Sequence, residues 1–369
     1  MSSTSVRVIP EILAAEAFPP RVSGRIPSLD GLRAVAILLV MESHLAGSIY
    51  VLPLLGSGRF PLRFMFGNLG VRIFFVISGF LITTLLLSER EKNGHVSLKK
   101  FYVRRALRIL PASYAFLSIM CLVSALGVLA IPHGSLISSF LYFRDYYPGG
   151  DWYTGHLWSL CVEEQFYLIW PIILVLFGQR RAMIVALCTL PVSDLVRSFH
   201  PNGGFETNMD ALACGCLLAC LWGQLGQTDR WQRFLRSPLF WVVPIAILAA
   251  NKLIVAGGVW LAVGTGVANV LIAISIERFV RYHRSHAARL LNVRVALIIG
   301  TLSYSLYLWQ EPFEVLTTAR PGHLQTFPIN VLLACTCAVL SYALIELPFL
   351  RLRDRLRNTH LEAGMPVSA

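Results

Sequence analysis

The sequence predicts an all-α membrane protein, a polytopic bundle of about ten transmembrane helices. Three observations carry that expectation. Hydrophobic residues make up 56% of the chain and charged residues only 14%, with a mean hydropathy of +0.63. A soluble domain carries roughly 25% charged residues. Long apolar runs recur along the chain, separated by short basic or Gly/Pro-punctuated connections. Finally, if those runs alternate across a bilayer, the basic clusters all fall on one side, as the positive-inside rule requires.

Residues 1–27 are polar and aperiodic. They carry no basic n-region followed by a short apolar core and a cleavage site, so they are not a cleaved signal peptide. They read as a flexible cytoplasmic tail. The first span is residues 29–45, LDGLRAVAILLVMESHL. A punctuated loop covers 50–68, and a second span covers about 71–88. The basic loop SEREKNGHVSLKKFYVRRALR follows, then a third span at 109–131. The segment 134–147 is apolar but shorter than the roughly 20 residues needed to cross a bilayer. Taken as re-entrant or interfacial, it leaves spans near 157–178, 182–199, 209–226, 238–256, 258–277, 295–318 and 327–348. The clusters at 90–108, 179–181, 230–236, 278–294 and 351–357 then share one face with the N-terminus. Both termini are expected in the cytoplasm. Residues 28–350 form one membrane domain, and 351–369 form a short basic tail.

A net charge of +12 would suggest nucleic acid in a soluble chain. Here it is accounted for by cytoplasmic loops, so no nucleic-acid partner is expected. The eight cysteines all lie in apolar stretches and read as small hydrophobes. No metal site is expected, because no histidine pattern accompanies the Cys-x-Cys pairs.

The polar residues inside the spans carry the functional signal. Ionisable side chains there are expensive and rarely face lipid. In a helix, eleven steps bring His44 back to within about 20° of Arg33 on one face, roughly 16 Å further along the axis. In the expected topology Arg33, Arg104, Arg105 and Arg108 crowd the cytoplasmic mouth. His44 lies in the outer half of the first span. Glu163 and Glu164 lie about two turns into the span that begins near Leu157. Asp210 starts another span from outside, and Gln310, Glu311 and Glu314 occupy the outer half of 295–318. Cations at one end and a histidine with carboxylates at the other suit a donor with a phosphorylated head and a long arm. Guanidinium binds phosphate bidentately, and the arm would reach His44. Coenzyme A carrying an acyl thioester has that shape.

The segments LDGLRAVAILLVMESH, FFVISGFLITTLLL, YVRRALRILPASY, LWSLCVEEQFYLIWP, MDALACG and TLSYSLYLWQEP occur in the order seen in the membrane acyltransferase-3 family. The chain resembles that family over about residues 28–350. Its members include O-antigen, Nod-factor and macrolide O-acyltransferases. The resemblance implies a membrane enzyme that moves an acyl group, commonly acetyl, from acyl-CoA to a hydroxyl. Arg33 and His44 fall on the family's R-x10-H positions, the histidine being regarded as catalytic. Arg105 and Arg108 fall on its R-x-x-R positions, and Glu164 on the second carboxylate of VEEQFY. The sequence departs at Gln310, where many members have histidine, and at Cys161, where many have serine.

The expected activity is O-acylation of a carbohydrate, glycolipid or other hydroxyl-bearing acceptor in a bacterial inner membrane. His44 is expected to act as general base or transient acyl carrier, with Glu164 orienting it. Arg33, Arg105 and Arg108 are expected to hold the phosphates of acyl-CoA. Glu163, Asp210, Gln310 and Glu311 are the acceptor-side candidates. No cofactor is expected beyond acyl-CoA as donor substrate. The competing class is a proton-coupled transporter using intramembrane His, Glu and Asp. It does not need an arginine-rich mouth aligned with a histidine.

Overall fold

A computed structural model describes residues 18–20, 25–45, 61–200, 203–256, 259–314 and 323–362. Among them the regular structure is helical, with no strand. In chain order the helices are α1 (Leu29–Leu45), α2 (Pro61–Asn93), α3 (Leu98–Ala125), α4 (His133–Phe140) and α5 (Leu157–Phe199). Next come α6 (Met209–Gln227), α7 (Asp229–Arg236), α8 (Val242–Ala256) and α9 (Val259–Arg281). The last are α10 (His286–Leu291), α11 (Arg294–Trp309), α12 (Ile329–Ser341) and α13 (Leu347–Glu362), with a π-helical turn, Tyr342–Glu346, between α12 and α13. Six helices are long and apolar enough to cross a membrane, or seven if the pair bent by 67° around Ser237 counts as one span.

The two ends of α1 give names to the ends of the bundle: the arginine end, at Asp30 and Arg33, and the histidine end, at His44. α2 returns antiparallel to α1, because Gly67 meets Ser43 while Gly70 meets Ala36 and Val40. α6 runs parallel to α2, with Arg72 near Asp210 at one end and Phe80 against Trp222 further along, and the two cross at reciprocal small residues. A Cβ on Gly79 would overlap the carbonyl of Leu212, and one on Gly215 would overlap that of Val76. Close backbone approach of this kind is how helices associate where no water drives them together. α11 runs parallel to α1, with Gly300 against the Asp30 carbonyl and Glu311 beside His44.

α5 has 43 residues, a length of about 65 Å, twice a hydrocarbon core of about 30 Å. It is broken at Gly178, whose φ of 74° lies in the left-handed region that favours glycine. Before the break, α5 runs parallel to α2: Glu163 meets Ser78, Trp170 meets Thr83, and Gly178 reaches Arg90. After it, α5 runs antiparallel to α6, from Gln179 at Cys220 to Arg197 at Asp210. The chain therefore reverses at Gly178, and α5 is a helical hairpin.

The core is built from large side chains between these helices, among them Phe75, Phe80, Phe116, Tyr167 and Trp222. The outer faces are apolar too, with Leu176 69% and Leu344 70% exposed. That is the pattern of a bundle whose surroundings are as apolar as its interior.

Several boundaries differ from the sequence reading. The basic stretch before the third span is not a loop. Ser97 caps Lys100, and α3 starts at Leu98, so Arg105 and Arg108 sit one turn apart on a helix. The segment expected to be re-entrant or interfacial holds α4, whose eight residues extend only about 12 Å. The expected basic tail from 351 is helical through Glu362, because the π turn carries the preceding span into α13 without a break. The expected N-terminal tail lies outside the described residues except at 18–20 and 25–27, as does most of the 50–68 loop.

Candidate active site

α1 carries Arg33 and His44, both half-buried, facing the bundle at its opposite ends. Their axial separation is about 16 Å.

At the histidine end, helix α11 stops because Pro312 cannot continue it. The last helical amide bond is donated by Gln310 to Leu306. A single turn, Glu311–Phe313, then swings two carboxylates toward α1. His44 Nε2 lies 3.9 Å from Glu311 Oε1, and His44 Nδ1 lies 3.5 Å from Glu314 Oε2. The turn is pinned by Trp152, whose indole N–H donates to the carbonyls of Glu311 at 3.0 Å and Glu314 at 2.7 Å. The same indole presents its ring edge-on to His44, 5.5 Å between centroids. Trp152 is itself held by a buried pair, Arg144 on Asp151 at 3.3 Å, and by Thr154, which donates twice to Asp151.

Glu311 bridges two histidines. Its Oε2 lies 2.7 Å from His156 Nδ1 and also accepts the His156 backbone N–H at 3.2 Å. His156 is 4% exposed. It packs edge-on against Phe116 and Tyr307, and the Tyr307 hydroxyl donates to its carbonyl. Glu314 is buried beside Glu311 and faces His44 Nδ1. Neither Gln310 amide atom, nor His156 Nε2, nor Trp309 Nε1 meets a hydrogen-bond partner among the described residues. Buried polar groups are normally paired, so these four atoms are suited to holding a polar ligand.

At the arginine end, Arg108 lies within electrostatic range of Arg33, Arg105 and Arg353. Arg33 has one local partner, Asp30 at 3.5 Å. Among the described residues neither Arg105 nor Arg108 has a salt bridge. Arg105 instead stacks over the Tyr167 ring at 3.8 Å. Arg104, one step round the helix, is occupied by Glu89 at 2.8 Å.

The sequence candidates therefore separate. Arg33, Arg105 and Arg108 come together, joined by Arg353. His44, Gln310 and Glu311 come together, joined by Glu314, Trp152 and His156. Glu164 does not stand beside His44 as the orienting carboxylate. It lies within electrostatic range of Arg105, together with Glu163. Glu163 is satisfied by Ser78 and Tyr167, each donating at 2.8 Å. Asp210 belongs to a different network. Its Oδ2 accepts from Arg197 and from Asn269, each at 2.9 Å. Arg72 joins through Asn269 at 3.4 Å and Asn68 at 2.6 Å, so the group ties α2, α5, α6 and α9 together. Cys161 is buried in α5 near the Arg144–Asp145 backbone. Among the described residues no group of three His, Cys, Asp or Glu could hold a metal ion.

Sequence reasoning missed Arg353 because the 351–357 cluster reads as an ordinary cytoplasmic anchor. It gave no role to His156, which stands just before the span that begins near Leu157. The signal was present in both cases: an arginine on the same face as Glu346, two turns earlier, and a histidine immediately before the LWSL motif.

Residues 26–346 match the family model described as "Acyltransferase domain". The chain is 29% identical over 374 residues to the peptidoglycan O-acetyltransferase OatA of Listeria monocytogenes, covering 88% of this chain and 55% of that protein. It is 29% identical over 359 residues to the O-acetyltransferase OatA of Staphylococcus aureus, covering 88% of this chain and 57% of that protein. The chain thus spans a little over half the length of these relatives. No solved structure matches it. With the family model covering most of its length, from just before α1 to the π turn, the chain belongs to the membrane acyltransferase-3 family.

Proposed function

We propose that this protein is a multi-pass O-acyltransferase. On this reading it takes an acyl group, most simply acetyl, from acyl-CoA at the arginine end and passes it to a carbohydrate hydroxyl at the histidine end. The observation that carries the reading is α1 itself. One face joins Arg33, clustered with Arg105 and Arg108, neither of which has a salt bridge among the described residues, to an imidazole bracketed by two carboxylates. The name of the Listeria relative makes a cell-wall polysaccharide the first acceptor class to test.

In the proposed chemistry Arg33, Arg105, Arg108 and Arg353 hold the donor phosphates through charge-assisted bonds. The thioester arm extends toward His44. Glu314 faces Nδ1 and fixes the ring, so Nε2 takes the proton of the acceptor hydroxyl. The hydroxyl oxygen bonds to the acyl carbon, the carbon–sulfur bond breaks, and the thiolate leaves with its electron pair. The imidazolium then returns its proton to the thiolate. While charged, it is stabilised by Glu311, itself fixed by His156. Gln310 can orient the acceptor through its amide but cannot take its proton at neutral pH.

The orientation follows from the basic clusters. With α5 crossing twice, ten crossings alternate in direction: α1, α2, α3, the two arms of α5, α6, α8, α9, α11 and α12–α13. Both termini then share the cytoplasmic side with the arginine end, where acyl-CoA is made. The plasma membrane is the matching compartment. Neither the family match nor the two relatives supports the proton-coupled transporter.

The test is transfer of label. Purified protein in lipid discs, given radiolabelled acetyl-CoA and soluble cell-wall oligosaccharides, should produce an alkali-labile labelled ester. Labelled acetate crossing vesicle membranes with no ester formed would point to transport instead.

A further inference from the structure

A second cluster of cations shares the arginine end of the bundle, where the Phe279 carbonyl accepts from Ser28 at 3.0 Å, but is not among the arginines assigned to the proposed transfer. Arg236 on α7, Arg278 and Arg281 on α9, and Tyr282, His283 and Arg284 after it line a cavity of about 350 Å³. Arg281 is occupied, pairing with Glu277 at 3.0 Å and donating to the Trp222 carbonyl at 2.8 Å. Glu277 also accepts from Trp231 at 2.9 Å. The other three guanidiniums have no carboxylate partner among the described residues.

Their donors are arranged rather than splayed. Arg236 gives its Nε to the Tyr282 hydroxyl at 3.0 Å. Arg236 and Arg278 lie over the same Tyr282 ring, 5.2 and 5.0 Å from its centroid. Arg278 uses one terminal nitrogen on Ser285 at 3.2 Å. Its Nε is buried and meets no partner, and the same is true of His283 Nδ1. Like charges held this close repel unless an anion sits among them. Planar guanidinium donors with an imidazole beside them suit a tetrahedral oxyanion, phosphate above all.

The cavity also has an apolar flank. The chain leaves Arg236 into the turn Pro238–Trp241, where Leu239 is 63% and Trp241 49% exposed. Exposed Trp beside Arg is the usual chemistry of the membrane–water boundary. None of the cavity's residues is among the arginines assigned to the donor phosphates, although both clusters lie at the same end of the bundle.

We propose that this cavity is a phosphate-binding site, with the headgroup of an anionic phospholipid as the source its apolar flank favours. The full chain in neutral detergent is titrated with dihexanoyl-phosphatidylglycerol, dihexanoyl-phosphatidylcholine and inorganic phosphate, and bound adducts are read by native mass spectrometry. The double variant Arg278→Gln/Arg284→Gln should bind phosphatidylglycerol about tenfold more weakly, the loss of two charge-assisted contacts. Arg180→Gln/Arg181→Gln removes equal charge from exposed positions at the same end and should change binding by less than about twofold. Phosphatidylglycerol binding ahead of inorganic phosphate identifies a lipid source. Tighter inorganic phosphate, lost in the same double variant, identifies a soluble one; both support the site. Equal losses in the two double variants, or no loss in either, would mean diffuse surface charge and overturn the proposal. If the double variant does not fold, Arg284→Gln alone, at an exposed position on the rim, carries the same comparison.

Discussion

Replacing Glu311 by Gln removes one negative charge while keeping the shape and an oxygen that can face His156. In the account above, Glu311 stabilises the imidazolium that forms as His44 takes a proton. Its Oε1 lies 3.9 Å from His44 Nε2, and its side chain is 5% exposed. At an effective dielectric of about 20, two full charges at that separation interact by about 4 kcal/mol. About half of the charge developed at the transition state gives roughly 2 kcal/mol, since each 1.36 kcal/mol is tenfold in rate, or about 30-fold. Full charge development would raise this to about 1,000-fold. The Glu311→Gln enzyme should therefore lose between about 30- and 1,000-fold in kcat. Its KM for acyl-CoA should hold, because the phosphates bind about 16 Å away. The assay is initial-rate transfer from radiolabelled acetyl-CoA over a range of donor concentrations, with Glu164→Gln in parallel. The Glu164 variant should alter KM for the donor instead, through Arg105. A Glu311→Gln enzyme with kcat within threefold of wild type, or a Glu164→Gln enzyme with the larger kcat loss, would refute this assignment of the carboxylates.

Three further outcomes follow from particular contacts. Arg33→Ala and Arg108→Ala should each weaken acyl-CoA binding by about 1.5–3 kcal/mol, and lysine should restore only part of it because the fork is lost; isothermal titration with a non-hydrolysable donor analogue measures both. Gly79→Ala should lower the melting temperature in detergent, because its Cβ meets the Leu212 backbone and overpacking costs about 1–3 kcal/mol, whereas Gly150→Ala, with open space around it, should melt as wild type. Burial pushes Asp145 up to about 6, so its raised carboxyl costs stability as pH rises from about 4 to about 6. Asp145→Asn should flatten the melting-temperature profile across that window.

The first span was legible because its information is local. Arg33 and His44 share a face by helical arithmetic alone, and Arg105 and Arg108 are one turn apart in the sequence itself. The partners of His44 were not. Glu311 and Glu314 reach it only because Pro312 ends α11 and Trp152, about 160 residues away in the chain by its two bonds, pins the resulting turn. Sequence reading chose Glu164 as the orienting carboxylate for its place in a motif. The parallel packing of α5 on α2 instead sets it near Arg105. Asp210 stands apart from His44 for a similar reason. Its charge is answered by Arg197, which reaches it because the chain reverses at Gly178. The charge pattern expects two crossings between 157 and 199, and Gly178 breaks the helix between them. What the pattern could not supply was which buried charges close on one another and which stay open toward a ligand.

The most direct test of the central claim is turnover by His44→Ala protein, purified, folded and shown by titration to bind acyl-CoA. Losing a positioned general base costs on the order of 10²–10⁴ in rate. The account predicts acyl-CoA binding close to wild type with transfer below detection, and His44→Gln equally inactive. Substantial acyl transfer by folded His44→Ala protein would contradict the mechanism and the role given to α1.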